Sequence, residues 1–429
     1  MKAIISKYTG TNLILRIVIG LAIGILLALI IPYALTFVPQ DSPGAGILSF
    51  LGGFISAFGT LFVGALKGIA PLLVFFLVST ALSGAKVGSG GSMKMVIALY
   101  LIGTVFAAFL ATVVSQLFPV NLIFASNVDT SSYTAPSGLD AVITTLLGNI
   151  VANPIASLSN ANYLGILFWA ILFGIALRTF VTEGILCGFR AVTNALTQVV
   201  RWIIQLAPFG IMGLIYNAVS SSGLAIFTDY AMLLALLITS MLAMFLIVNP
   251  LIVFLVIRQN PYPLVFKCIA RSAVTAFFTR SSAANIPVNM DLCKEMELDE
   301  DQYSISIPLG ATINMEGAAI TISVMTLAAC HTLGIQIDPI TAFLLSILSA
   351  LGACGASGVT GGSLLLIPMA CSLFGISNDI AMSVVGVGFI IGVIQDSLET
   401  ALNSSTDVLF TAAAQIAQRK KEGRELPKI

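Results

Sequence analysis

Residues 279–287 read TRSSAANIP and residues 354–363 read CGASGVTGGS, two polar, flexible interruptions inside otherwise apolar sequence. Their flanks decide what they are. The first is reached from a segment carrying Arg258, Lys267 and Arg271, and it leads into DLCKEMELDEDQ, residues 291–302. Both flanks are charged and lie on one side, so the chain must enter and turn back. The second has apolar arms, and the segments beyond them hold Asp338 and Asp379 with no Lys or Arg, so it mirrors the first from the opposite face. Apolar arms, and in the second the absence of charge, argue against two loops in water. Lipid cannot satisfy open backbone N–H and C=O groups, so such a reversal survives only where protein buries it or where it lines a wet cavity. Paired reversals of opposite topology are the pattern of inverted-repeat transporters with a site near the midplane.

The rest of the chain agrees with a membrane setting. Hydrophobic residues make up 58% and charged residues 9%, whereas a soluble domain carries about 25% charged residues. A balance of 19 basic and 19 acidic residues removes nucleic acid and other polyanions as partners. A helix needs about 20 mostly apolar residues to cross the hydrocarbon. Six stretches meet that need, near 13–35, 50–83, 95–118, 160–180, 191–219 and 230–257. The second is too long to stand upright and contains Pro71, so it is expected to tilt, kink or extend past the bilayer. Each reversal is followed by a further span, near 303–330 and 380–417. The expected fold is therefore an all-α integral membrane protein, with eight transmembrane helices plus two re-entrant helical hairpins of opposite topology.

Charge placement orients it. With the N-terminus inside, Lys2, Lys7, Arg16, Lys86, Lys94, Arg178 and Arg190 fall in the cytoplasm, as do the basic residues before the first hairpin and the tail 419–429. The outside loops near 36–49, 119–159 and 220–229 carry only acids, Asp41, Asp129, Asp140 and Asp229. The opening MKAIISKYTGTNLILR runs into a full span without an A-x-A site, so it is expected to anchor the chain and not to be removed. This multi-pass topology fits a bacterial inner membrane with both termini cytoplasmic. The cysteines (Cys187, Cys268, Cys293, Cys330, Cys354, Cys371) lack CxxC spacing and read as packing residues, not as disulfides or zinc ligands. His331 stands where a span ends and reads as a solvated interface residue.

Chemistry concentrates in the last two spans. Asp396, Thr400, Asn403 and Asp407 follow one another at spacings of four, three and four, along one helix face, with Glu399 beside them. An ionised side chain at bilayer depth costs at least about 2.5 kcal/mol, so these carboxylates need cationic company. Sodium ions and a substrate ammonium group supply it; pairing with Arg280 or Lys67 is the plainer alternative. In GATINMEG, residues 310–317, small and polar residues interrupt a helix and expose carbonyls of the kind that hard cations favour. Arg280 reads either as a neutraliser of Asp396 or as a side chain snorkelling to a headgroup. Lys67 has no partner in the sequence pattern and suggests a scaffold or interface role.

FFTRSSAANIPVNM (277–290), SIPLGATINMEGAAITISVMTLAA (306–329), the glycine-rich second hairpin and QDSLETALNSSTD (395–407) together resemble the dicarboxylate/amino acid:cation symporters, the glutamate-transporter family, over about 13–417. The resemblance implies a homotrimer. Residues 1–257 would be mainly scaffold, with the third span also near the core, and 258–418 a moving transport core. By position in the family's motifs, Asp396 would receive the substrate ammonium, and Asn403 with Ser281 and Ser282 the α-carboxylate. Thr400 shares that pocket, and the tip around Gly358 would close over it. Asp407 with carbonyls of Gly310, Asn314 and Asn403 would hold one sodium, and carbonyls of Thr312, Ala353, Cys354 and Ala356 a second. A third family site would use Tyr100, Thr104, Asn314 and the acid of NMD. Here that acid is Glu316, and Gly103 replaces the usual hydroxyl residue.

Two further departures bear on the cargo. Members that carry acidic substrates have an arginine where this chain has Glu399, and a threonine where it has Ala318. Glu399 repels a second carboxylate and accepts a hydrogen bond from a hydroxyl, so serine and threonine are the expected substrates. The expected protein is a sodium-coupled importer without a cofactor and not an enzyme. The alternatives are a symporter of other small neutral amino acids, an ion channel, or an intramembrane enzyme using Ser281 or Ser282, which lacks a partner His or Lys at motif spacing.

Overall fold

The computed structural model describes residues 12–84, 92–124, 147–148, 150–180, 182–355 and 361–427, and the regular elements among them are all helical. Among the described residues, seven stretches are long and apolar enough to cross a membrane: Leu13–Phe37, Pro43–Ser83, Met93–Leu117, Tyr163–Phe180, Ala207–Ile257, Glu300–Thr332 and Asn378–Glu422. Burial separates them into two kinds. In the most apolar part of Glu300–Thr332, 94% of residues are buried, and in Asn378–Glu422 89%, against 33% in Leu13–Phe37. The last two run through the middle of the protein, while the first presents large apolar side chains such as Leu15, Leu26 and Ile30 outward.

The outer layer is built on close helix approach. Helix α1 (Leu13–Phe37) packs on a later helix through Gly20 and Gly24, where an added Cβ would lie 2.2 Å from Pro208 O and 2.5 Å from Met212 O. Helices that cannot gain from hiding apolar surface in lipid gain instead from this kind of backbone-to-backbone packing at small residues. Helix α2 (Pro43–Gly84) is unbroken over 42 residues with Pro71 inside it. At about 1.5 Å per residue it is about 63 Å long, so it overruns the hydrocarbon as expected. Helix α3 (Met93–Leu117) turns inward and packs against the buried spans, and helix α4 (Tyr163–Phe180) returns to α2.

The stretch 191–219 differs from an uninterrupted span. It is divided into α5 (Glu183–Gln205) and α6 (Ala207–Ser222), with Leu206 between them at φ −89°, ψ −3°. Leu206 keeps a right-handed helical conformation, so the chain bends there and does not turn back. Pro208 lacks an N–H, and its ring crowds the preceding turn, which explains the kink. The exposed Arg190 and Arg201 lie on α5. Gly223, at φ +67°, then ends α6. Next come α7 (Ile226–Ala243), a π-helical turn Met244–Val248 and α8 (Asn249–Ile257).

At both sequence interruptions the chain is divided into short helical arms. In the first, α9 (Tyr262–Cys268), a π turn Ile269–Ala273 and α10 (Val274–Thr279) form one arm. Helix α11 (Ser282–Glu295) forms the other. The chain reverses at Arg280, held in the left-handed region at φ 52°, and at Ser281, whose Oγ accepts from Ala284 N and caps α11. A polar zip joins the arms: Ser272 Oγ donates to Asn289 Oδ1 and Thr275 Oγ1 to Asn285 Oδ1. The second hairpin descends along α14 (Pro339–Ala353), capped by Asp338, and returns through a 3-10 turn Ser363–Leu366 into α15 (Ile367–Ser372). Its tip residues Ala356 and Gly358 lie outside the described residues.

The buried spans are α12 (Glu300–Ile313) with α13 (Glu316–Thr332), and α16 (Asn378–Glu422). The GATINMEG interruption is a break at Asn314 and Met315, both outside helical geometry. Helix α16 runs to Glu422 without interruption, so the tail expected from 419 begins inside a helix, and Arg419 ion-pairs with Asp299 at 2.7 Å. Lys67 has a partner after all. It forms an ion pair with Asp379 at the start of α16, 312 residues away, which sequence spacing could not reveal. His331 is half-buried in the last turn of α13, not fully solvated. Four of the cysteines are buried in the core, Cys354 is half-buried and Cys187 is exposed.

Candidate functional site

The buried helix α16 brings its acids to the meeting point of both hairpins and the α12–α13 break. Asp396 is 3% exposed. Its Oδ2 lies 2.6 Å from Arg280 Nε, and its Oδ1 accepts from Gly361 N at 3.0 Å. Of the two readings of Arg280, the neutralising one is therefore realised in this conformation, and the left-handed turn of the first hairpin aims the guanidinium inward. Thr400 Oγ1 donates back to Asp396 O. Asp396 is thus touched by the turn of one hairpin and the returning arm of the other.

One turn on, Glu399 is buried without a cationic side chain at salt-bridge distance among the described residues. Its Oε2 accepts from Gln395 Nε2 at 2.5 Å, Thr321 Oγ1 at 2.8 Å and Ser363 Oγ at 2.8 Å. Gly317 lets α13 close on it, since an added Cβ would lie 2.7 Å from Glu399 Cα. Ala318 is fully buried beside this contact and offers no polar side chain.

Asn403 faces the α12–α13 break. Its Oδ1 accepts from Gly317 N at 2.7 Å, while its Nδ2 meets only Met315 Sδ at 3.4 Å. Sulfur is a weak acceptor, so this amide has donor capacity to spare for a carboxylate. The first turn of α11, at Ser281 and Ser282, supplies further backbone donors at a helix N-terminus, where anions are stabilised. Asn285 Nδ2 and Asn289 Nδ2 tie that hairpin to Ser404 on α16, a clamp with no counterpart in the sequence reading.

Cation-binding capacity is tested by oxygens left without partners. Asp407 is fully buried; Asn314 Nδ2 donates to its Oδ1 at 2.9 Å, and its Oδ2 has no partner. Asn314 Oδ1 is likewise buried and unpartnered. Gly310 is close enough that a Cβ would lie 2.5 Å from Asp407 Oδ1. Orphaned oxygens inside apolar surroundings are costly, and a small hard cation is a ligand that would satisfy them. The residues expected for the first sodium site therefore fit that ion. For the second, the C-terminal ends of α12 and α14 converge, with Cys354 Sγ donating to Ile313 O at 3.3 Å. Helix C-termini present carbonyls and negative dipole ends. Thr312 uses its hydroxyl on Leu309 O.

The residues expected for a third site have other protein partners here. Tyr100 OH lies 3.0 Å from Asp407 O, 3.2 Å from Ser306 O and 3.0 Å from Thr411 Oγ1. Thr104 Oγ1 donates to Tyr100 O. Glu316 Oε2 accepts from Asn249 Nδ2 at 2.7 Å, and its Oε1 is buried without a partner. A Cβ at Gly103 would lie 2.4 Å from that Oε1. The longer acid and the missing side chain are thus two halves of one exchange: Glu316 occupies the space that a hydroxyl residue at 103 would fill.

Residues 13–416 match the model of the sodium:dicarboxylate symporter family. The chain is 53% identical over 427 residues to a serine/threonine transporter SstT of Bifidobacterium adolescentis, covering 100% of this chain and 95% of that one. It is 54% identical over 417 residues to a serine/threonine transporter SstT of Streptococcus agalactiae serotype III, covering 97% and 98%.

Proposed function

As the chain belongs to the sodium:dicarboxylate symporter family, we propose that it imports serine and threonine together with sodium by alternating access. The observation that carries this reading is Glu399, an acceptor held by neutral donors at the position where acidic-substrate members carry a cation. It repels a side-chain carboxylate and accepts from a side-chain hydroxyl. The α-ammonium is received by Asp396, displacing Arg280 from it. The α-carboxylate is held by Asn403 Nδ2 and the first turn of α11, with Thr400, Ala318 and Gly358 completing the pocket.

Sodium is cargo here. One ion sits among Asp407, Asn314, Asn403 and Gly310, and a second among the carbonyls of Thr312, Ala353, Cys354 and Ala356, beside the second hairpin. Closing that hairpin and binding that ion favour one another, because only a ligand with different affinity for two states shifts them. The architecture of this reading is eight spans and two hairpins, with residues 1–257 as scaffold, 258–418 as transport core and a short basic tail. The outward apolar faces of the first helices fit contact with lipid and with two further copies in a homotrimer. The protein sits in the bacterial inner membrane with both termini in the cytoplasm.

Purified protein in proteoliposomes tests the reading. An inward sodium gradient is expected to drive accumulation of labelled serine and threonine but not aspartate. Accumulation under a proton gradient alone, or none under sodium, overturns it.

A further inference from the structure

Glu399 cannot do its work unaided, because a glutamate side chain with three free torsions has no fixed direction. In this structure it is fixed. Three donors converge on a single oxygen, Oε2, from three separate elements: Gln395 on α16, Thr321 on α13 and Ser363 on the returning arm of the second hairpin. All three are at most 1% exposed. Gln395 Nε2 also lies 2.8 Å from Thr321 Oγ1, and Thr321 Oγ1 lies 3.0 Å from Gly317 O. An amide that donates to the threonine oxygen leaves the hydroxyl proton to be shared between Glu399 and the Gly317 carbonyl. All three of these hydrogen bonds fall on Oε2 and none on Oε1, so Oε2 is the anchored atom.

We propose that Thr321, Ser363 and Gln395 are positioning residues for substrate selection: by anchoring Oε2 of Glu399 they aim Oε1 at the substrate hydroxyl. This rests on the reading of Glu399 given above. Each donor is neutral, so the cluster orients the carboxylate without cancelling the charge that rejects acidic substrates. Ser363 gives the cluster a second property. It sits two residues beyond Gly361, whose N–H holds Asp396, so the returning arm of the hairpin touches both acids. Glu399 is therefore fully oriented only while that arm is docked, and selection for the hydroxyl is made in the docked state.

The test is the ratio of dissociation constants for serine and alanine, measured by calorimetry on the detergent-solubilised protein in saturating sodium. Alanine lacks only the hydroxyl. Thr321→Val and Ser363→Ala are each expected to reduce the preference for serine by about tenfold, the scale of losing an oriented hydrogen bond to a substrate. Thr321→Ser and Ser363→Thr keep a donor and are expected to retain the preference. Variants that weaken serine and alanine alike, as a general loss of fold does, leave the ratio unchanged and overturn the proposal. Glu399→Ala separates the two levels. If it abolishes the preference while Thr321→Val and Ser363→Ala leave it intact, only the positioning role falls. If it too leaves the preference intact, the reading of Glu399 falls with it.

Discussion

At the scale of single residues, charge at position 399 is expected to decide which amino acids are carried. In Glu399→Arg a guanidinium faces Gln395 Nε2, Thr321 Oγ1 and Ser363 Oγ, of which the amide nitrogen can only donate. Serine uptake in proteoliposomes is expected to fall by about tenfold or more, with aspartate gaining entry, since a lost buried acceptor and a gained cation act together. Unchanged uptake of both amino acids contradicts the role. A second residue-scale expectation concerns Gly103 and Glu316. Gly103→Ala places a Cβ against Glu316 Oε1 and the Phe410 ring, and overpacking of this kind costs about 1–3 kcal/mol. Combining it with Glu316→Asp shortens the acid and is expected to recover most of the loss. The check is the thermal midpoints of the two single variants and the double variant, where simple additivity means that the two positions are not one exchange.

Much of the site was legible at this scale because its signals are expensive ones. A stripe of Asp396, Thr400, Asn403 and Asp407 at spacings of four, three and four has few bland explanations, and Asp396, Glu399 and Asp407 are all buried, the last two beside the break in the preceding span. Thr321, Ser363, Gln395 and Asn285 were not legible. A neutral polar residue in a membrane helix can satisfy itself on its own backbone, as Thr104, Thr112 and Ser240 do here, so its type alone does not mark it. Asn249 is hidden for another reason. It follows the π-helical turn Met244–Val248, whose extra residue changes the register of the face that meets Glu316.

At the scale of elements, the chain reversal at Arg280 and Ser281 and the divided span could be read because an interruption of an apolar helix is announced by polar and flexible residues. The break at Asn314 and Met315 falls inside GATINMEG. The kink at Leu206 is a different matter. Its apolar flanks conceal it in hydropathy, and the proline that causes it stands two residues further on. Helices α1 and α6 meet at Gly20. Gly20→Leu drives a side chain into Pro208 O, which already lies 2.2 Å from where a Cβ would stand. Since the contact is backbone on backbone, neither side can yield cheaply. The variant is expected to lose monodispersity on size exclusion in detergent, while Gly53→Leu, at a position where a Cβ meets nothing within 4 Å, is expected to keep it. Equal behaviour of the two variants contradicts the packing argument.

At the scale of the whole molecule, the outer helices and the buried core must move relative to one another if the site is to face each side in turn. Lys67 on α2 and Asp379 at the start of α16 form an ion pair between those two parts, with side chains 40% and 73% exposed. Exposed pairs are worth about 0–1 kcal/mol, too little to hold the fold but enough to bias two conformations of similar energy. Lys67→Asp is expected to change the rate of serine exchange across proteoliposome membranes by about fivefold at most, the factor that about 1 kcal/mol allows. The swap Lys67→Asp with Asp379→Lys is expected to restore it. A swap that behaves like the single variant means that the pair has no part in the motion. On the proposed mechanism, net positive charge carried inward gains about 2.3 kcal/mol per 100 mV, so the membrane potential is expected to add to the sodium gradient as a driving force.

On the proposed mechanism, buried carboxylates of this core are stabilised by passengers, and sodium and amino acid favour the same closed state. This is tested by the serine dissociation constant of the purified protein as a function of sodium concentration, for the natural chain and for Asp407→Asn. Serine affinity of the natural chain is predicted to rise steeply with sodium, and that of Asp407→Asn to be weak and flat. Serine affinity that ignores sodium in the natural chain, or that keeps its full sodium dependence in Asp407→Asn, contradicts the claim.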